Sequence, residues 1–240
     1  VTLFWFIKYI EDVFFKHSCL MCSCTIKEQP KLCEICLLDL PKLSLPKKGV
    51  NLLLRPDINR LFKKVKFDSL FAALWYQEPN SIWLSKLKFN NKIYFRHVLI
   101  QIIQSQINIA SKHENWIWPD MIIIMPLHTR RFSMRGFNQV EQVWREALLT
   151  LPGFDRSLLT EEVLKRTKYT KAQTNLNAKQ RHKNISSAFT VKGDVNGKVI
   201  AIVDDVITTG TTINEVSDCL KAAGANHVLA WATCLTPLQK

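Results

Sequence analysis

The chain has 240 residues, and 33 Lys+Arg against 20 Asp+Glu give a formal net charge of +13. That length holds about one or two domains, and 47% hydrophobic with 22% charged residues excludes a largely disordered chain. Seven Gly and nine Pro exclude collagen-like and low-complexity classes, while the charge favours polyanionic partners or, more simply, solubility.

In chain order, residues 3–15 predict a short amphipathic helix with Phe4, Ile7, Tyr9, Ile10, Val13 and Phe14 on one broad face. Lys8, Glu11 and Asp12 interrupt this run, and no apolar stretch reaches the ~20 residues that cross a bilayer. With no basic leader or small-residue cleavage site, the expectation is a soluble cytoplasmic protein without membrane insertion.

Five of the seven cysteines lie between Cys19 and Cys36. Such clustering points to a reducing compartment and away from a disulfide scaffold. Cys19-Leu-Met-Cys22 and Cys33-Glu-Ile-Cys36 form two CxxC pairs, each able to turn tightly and offer two thiolates. Two pairs complete a tetrahedral sulfur shell that suits Zn²⁺, and four protein ligands leave no open position, so the role is structural. Cys24 is a spare thiol that could replace a neighbour.

Pro41 to Pro56 reads as a Pro/Lys-rich linker, and residues 70–76 (LFAALWY) as a strand. Apolar residues at helical spacing predict a helix from Ile93 to Ser111. Between Asp120 and Pro126 lies a short apolar run suited to a parallel strand buried on both faces. A helix follows from Phe137 to Leu149, then a second buried strand, Val199 to Val203, ending in Asp204-Asp205. Ile213 to Ala223 predicts a helix closed by Gly224, and His227 to Leu235 a last strand. Strand–loop–helix order with short loops means an α/β fold with a parallel sheet flanked by helices.

The most informative stretch runs from Val199 to Thr212. A buried strand brings Asp204 and Asp205 to its C-terminal end, where open α/β sheets place ligands. Thr208, Thr209, Gly210, Thr211 and Thr212 then turn into a helix N-terminus, an anion site built from backbone N–H groups and hydroxyls. Thr212 is the expected N-cap, with Glu215 completing a capping box. The GxxxxGK[ST] pattern is absent, so this is not a P-loop. Carboxylates beside a phosphate seat suit a ligand that also carries hydroxyls or a divalent cation, such as a ribose 5-phosphate with metal-bound pyrophosphate.

This stretch resembles the phosphoribosyl-pyrophosphate (PRPP) motif of type I phosphoribosyltransferases. Ile124-Met-Pro126-Leu-His128, Arg135-Gly-Phe-Asn-Gln139 and the paired CxxC motifs narrow the resemblance to the ComF family, competence-associated proteins of natural transformation. It covers the chain from about Cys19 to Thr233, with residues 112–118 resembling an added surface segment. It implies a type I phosphoribosyltransferase-like sheet with a small N-terminal four-cysteine zinc knuckle. The implied division is 1–56 for helix and knuckle and 57–240 for the transferase-like part, split into a hood (57–118) and a core (119–240).

The resemblance assigns Asp204 and Asp205, as the catalytic pair, to the ribose hydroxyls, and Thr208 to Thr212 to the 5-phosphate. Leu127, His128, Thr129, Arg130 and Arg131 fall to the pyrophosphate, with Mg²⁺ accompanying PRPP. The Lys/Arg-rich span Arg166–Lys183 is either a lid or a solvated loop. PRPP, single-stranded DNA and other transformation proteins are the implied partners, with Lys86, Lys88, Lys92 and Arg96 as candidate DNA contacts. Aromatics such as Trp75, Trp83 or Phe89 either stack bases or, taken singly, read as plain core packing. The alternative is a working phosphoribosyltransferase acting on an unidentified acceptor, its basic charge incidental.

Overall fold

The computed structural model describes residues 17–26, 32–90, 94–127, 132–133, 136–167 and 188–238. The expected helix at 3–15 lies outside them, as do His128 to Arg131 and most of the proposed lid.

Among the described residues, a five-stranded parallel sheet forms the centre. Its strands are β3 (Ser69–Trp75), β4 (Met121–Ile124), β5 (Leu159–Thr160), β8 (Val199–Ile207) and β9 (His227–Leu235), in the order β3-β9-β8-β4-β5. Every neighbouring pair is parallel. Nearly continuous burial along β3, β8 and β9 follows from helices covering both faces. Alternate residues feed two cores. Ile122, Ala201, Val203 and Trp231 pack with Val98, Leu99 and Ile102 of α4 (Tyr94–Ala110) and Val140 and Trp144 of α5 (Gln139–Leu149). Ile123, Ile200, Ile202 and Ala230 pack instead with Ile213, Val216 and Leu220 of α6 (Thr211–Ala222).

From β4 the chain runs outward to β5, whereas β8 lies on β4's other side. Strand order therefore reverses between β4 and β8, which opens a crevice at their C-terminal ends.

The remaining elements frame this sheet. A two-residue hairpin, β1 (His17–Ser18) and β2 (Thr25–Ile26), precedes the short helix α1 (Glu34–Leu38). One-turn α2 (Pro56–Asn59) and then α3 (Asn80–Asn90) flank β3. An antiparallel pair, β6 (Leu164–Arg166) and β7 (Phe189–Val191), stands apart from the main sheet. No helix among the described residues is long and apolar enough to cross a membrane.

Three expectations are corrected. Pro41–Pro56 is no free linker: Leu43 donates to the Ala73 carbonyl at 3.2 Å, Trp75 donates to the Pro41 carbonyl at 3.0 Å, and Leu43 and Leu52 are buried. This segment covers the outer edge of β3, an edge that would otherwise offer unpaired backbone groups. Residues 112–118 are not merely an added surface segment, because Trp116 stacks on Trp231 of β9 at 5.4 Å between centroids. Finally, β8 does not stop before its acids. Pairing of Asp204 with Ala232 and Val206 with Cys234 carries the strand through to Ile207.

Candidate functional site

Ile200 to Val203 are fully buried, and the next two side chains, Asp204 and Asp205, emerge half-buried at the crevice. The acids are tied in place. The Asp205 N–H donates to Asp204 Oδ1 at 2.8 Å, and Gln139 Nε2 donates to Asp205 Oδ2 at 2.9 Å. Gln139 is the first residue of α5 and is only 3% exposed, so its amide reaches the acid across the crevice from a fixed base. Asn138 before it caps that helix, accepting from the Val140 N–H at 3.1 Å, and donates to the Met125 carbonyl at 3.1 Å. Asn138 thus joins the end of β4 to the start of α5. Sequence reasoning singled out the string holding both residues without giving either a role; two polar side chains opening a buried helix were the available signal.

After the acids the chain turns sharply. Gly210 has φ of +72° and is the N-cap of α6, so the helix begins at Thr211 and not at the expected Thr212 cap. Glycine is required here for two reasons. Its φ is left-handed, and an added Cβ would lie 2.9 Å from the Phe62 ring. Thr209 and Thr211 share a hydroxyl hydrogen bond of 2.8 Å. A depression of about 20 Å³ is lined by Asp204, Thr208, Gly210, Thr211 and Thr212, room for one small group. First-turn N–H groups have no intrahelical acceptor and carry the positive end of the helix dipole, so the hollow is chemically an anion seat.

A larger cavity, about 210 Å³, opens beyond β4 between Pro126, Asn138, Arg145 and Thr160. Its guanidinium is already engaged, with Arg145 reaching Glu161 at 2.6 Å and Glu141 at 3.2 Å. Leu127 is half-buried at the end of the β4 segment, while His128, Thr129, Arg130 and Arg131 lie outside the described residues.

The cysteines converge as their spacing suggested. The hairpin is closed by the Cys19 N–H donating to the Cys24 carbonyl at 2.8 Å, and Cys33 caps α1 by accepting from the Cys36 N–H at 3.5 Å. Ligand sulfurs of Cys19, Cys22, Cys33 and Cys36 all lie within 4.8 Å of one another, positioned to hold a metal ion. Cys24 is not in that set. Burial raises the Cys19 thiol, but N–H groups of Cys22, Cys33 and Met21 outweigh it and hold it at about 6. Burial and the neighbouring thiols push Cys36 well up. Four thiols this close cannot all ionise unaided, and a cation among them removes the conflict. The donor chemistry fits a thiophilic ion.

The aromatic residues that the sequence left between base stacking and core packing separate only in part. Trp83 is 4% exposed and stacks on Phe95 at 6.5 Å, so it belongs to the core. Trp75 is half-buried, and the Lys88, Phe89 and Lys92 side chains lie outside the described residues. Arg96 is paired with Glu146 at 3.4 Å, and Lys86 sits over the Phe95 ring at 5.5 Å.

Comparison with known proteins adds to this geometry. Residues 151–238, which include the acid pair and the turn, match the family described as Phosphoribosyl transferase domain. Competence protein F of Haemophilus influenzae is 30% identical over 178 residues, covering 72% of this chain and 75% of that protein. DNA utilization protein YhgH of Escherichia coli O157:H7 is 30% identical over 218 residues, 91% of this chain and 90% of the relative. The chain belongs to the competence protein F (ComF) family. Competence protein ComFC of Streptococcus pneumoniae is similar too, 28% identical over 157 residues, 65% of this chain and 64% of its own length. A ComF-family chain thus combines a phosphoribosyltransferase-type sheet with an N-terminal cysteine cluster. Its relatives are named for competence and DNA utilization, which supports a role in transformation.

Proposed function

We propose that this ComF-family chain binds PRPP with Mg²⁺ at the β8–α6 turn and binds single-stranded DNA during natural transformation. One observation carries the first part: a buried strand, two anchored carboxylates and a threonine–glycine turn form one continuous unit around an anion seat. Asp204 and Asp205 accept hydrogen bonds from the ribose hydroxyls, and Gln139 fixes the orientation of Asp205. Thr208 to Thr212 hold the 5-phosphate through N–H groups and hydroxyls. Leu127 to Arg131, which follow β4 in the chain, take the pyrophosphate. When bound, Mg²⁺ neutralises charge on that leaving group. The four cysteines hold Zn²⁺ in a closed structural site.

Support for DNA binding comes from the +13 charge and the names of the relatives. Lysine and arginine contacts to phosphates supply the affinity, which falls as salt rises.

A second reading, phosphoribosyl transfer to an acceptor, is favoured by the match of residues 151–238 to the Phosphoribosyl transferase domain. Pyrophosphate release with and without candidate acceptors separates the two readings.

The test of PRPP binding is a calorimetric titration with Mg²⁺. Asp204→Asn with Asp205→Asn removes two charged acceptors at nearly constant size, and charge-assisted bonds contribute roughly 1.5–3 kcal/mol each. Binding weakens by at least about tenfold. Wild-type protein that ignores PRPP, or a folded double variant that binds it unchanged, contradicts the assignment.

A further inference from the structure

The segment between α2 and β3 contains three lysines, Lys63, Lys64 and Lys66, and it is fastened to the phosphate turn. Asn214, one turn into α6, donates through Nδ2 to the Lys64 carbonyl and accepts through Oδ1 from the Lys66 N–H, both at 2.8 Å. Phe62 closes against Gly210 on the same side. Further along, Lys66 pairs with Asp218 at 3.2 Å and Lys221 with Asp68 at 2.8 Å, so the segment lies along the helix. Those two pairs neutralise the lysines they use. Lys63 and Lys64 are exposed, and neither pairs with a described acidic residue.

We propose that Lys63 and Lys64 complete the phosphate subsite of this chain, recognising the phosphate monoester of a sugar phosphate. The inference rests on the β8–α6 turn being the phosphate seat. The electrostatic need is visible at that seat, because Asp204 lines the same hollow as Thr208, Gly210, Thr211 and Thr212 and repels an anion there. A helix N-terminus supplies only about half a positive charge. Two ammonium groups on flexible four-carbon stems, with their backbone pinned one helical turn away, offset the carboxylates. A loop serving solubility alone would need no clamp to the helix that bears the seat.

The test titrates ribose 5-phosphate, which lacks pyrophosphate, into wild type, Lys63→Ala with Lys64→Ala, and Lys47→Ala with Lys48→Ala. The last pair removes the same charge from the opposite end of the sheet, where Gly49 lies against Asn115 ahead of β4. At low ionic strength the Lys63/Lys64 variant binds roughly tenfold more weakly, and the gap narrows at high salt as exposed charges are screened. Lys63→Arg with Lys64→Arg restores affinity, while Asn214→Ala, which frees the loop but keeps its charges, gives a smaller loss. Equal weakening by the Lys47/Lys48 variant would show a net-charge effect and overturn the proposal. So would wild-type affinity in the Lys63/Lys64 variant, which leaves the phosphate-seat reading standing. Wild-type protein that binds no ribose 5-phosphate or PRPP overturns both.

Discussion

The cysteine cluster and the β8–α6 turn each gather groups that want a charged partner, but they are supported very differently. Around the cysteines the secondary structure is slight: two-residue strands and a five-residue helix, too little to hold four sulfurs by hydrogen bonding alone. The acid pair and threonine turn instead join a nine-residue strand to a twelve-residue helix, with buried side chains on both. The first region gathers four sulfurs on slight secondary structure, whereas the second is shaped by long elements of its own.

Metal removal gives the largest expected effect, since structural zinc in small modules contributes on the order of 10 kcal/mol or more. Chelation, or Cys33→Ser, should abolish stoichiometric metal and expose the N-terminal segment to protease. The sheet keeps its melting transition, and any ligand affinity of the phosphate turn is unchanged. Limited proteolysis with metal analysis reads this directly. Loss of both regions together would erase the contrast between them.

Trp144→Ala strikes the other region. Trp144 is fully buried, stacks on Trp231 at 6.1 Å and donates from Nε1 to Thr233 Oγ1 at 2.9 Å. Its truncation costs roughly 3–5 kcal/mol. For a chain of this size that lowers the melting temperature by on the order of 10 °C. Metal content of the folded fraction should not change, because the four sulfurs sit on the β1–β2 hairpin and α1 and not on α5.

How much of this was legible in the sequence follows from what is local. The acid pair and threonine turn are contiguous, so strand, ligands and helix start could be read in one pass. The extension of β8 through Asp204 was not legible, because it depends on pairing with β9 almost thirty positions on. Thr212 looked like a cap by residue type, but the φ of Gly210 starts the helix earlier. Gln139 carried no visible role because its partner is 66 residues away. In Pro41–Pro56 the turn-forming residues hid the burial of Leu43 and Leu52, which is set by packing on β3.

The smallest effect is expected at Asp57 in α2, outside both regions. Asp57 is held below the ordinary carboxylate range by hydrogen bonding from Arg55, which it meets at 2.6 Å. A depressed folded-state pKa contributes stability above the unfolded value and loses it as pH falls through the folded one. Because Asp57 is largely exposed, Asp57→Asn should flatten the acid limb of the stability curve only slightly, in thermal melts between about pH 5 and 2. A large loss at neutral pH would give this pair a structural weight that its exposure denies.

Amide hydrogen exchange with and without PRPP–Mg²⁺ tests the central claim most directly, because it locates the ligand as well as detecting it. Protection should rise from Asp204 to Asn214 and in the Lys63–Lys66 segment clamped to it, with exchange around Cys19–Cys36 unchanged. Protection confined to another part of the chain, or none at saturating PRPP, would contradict the placement of the site at the β8–α6 turn.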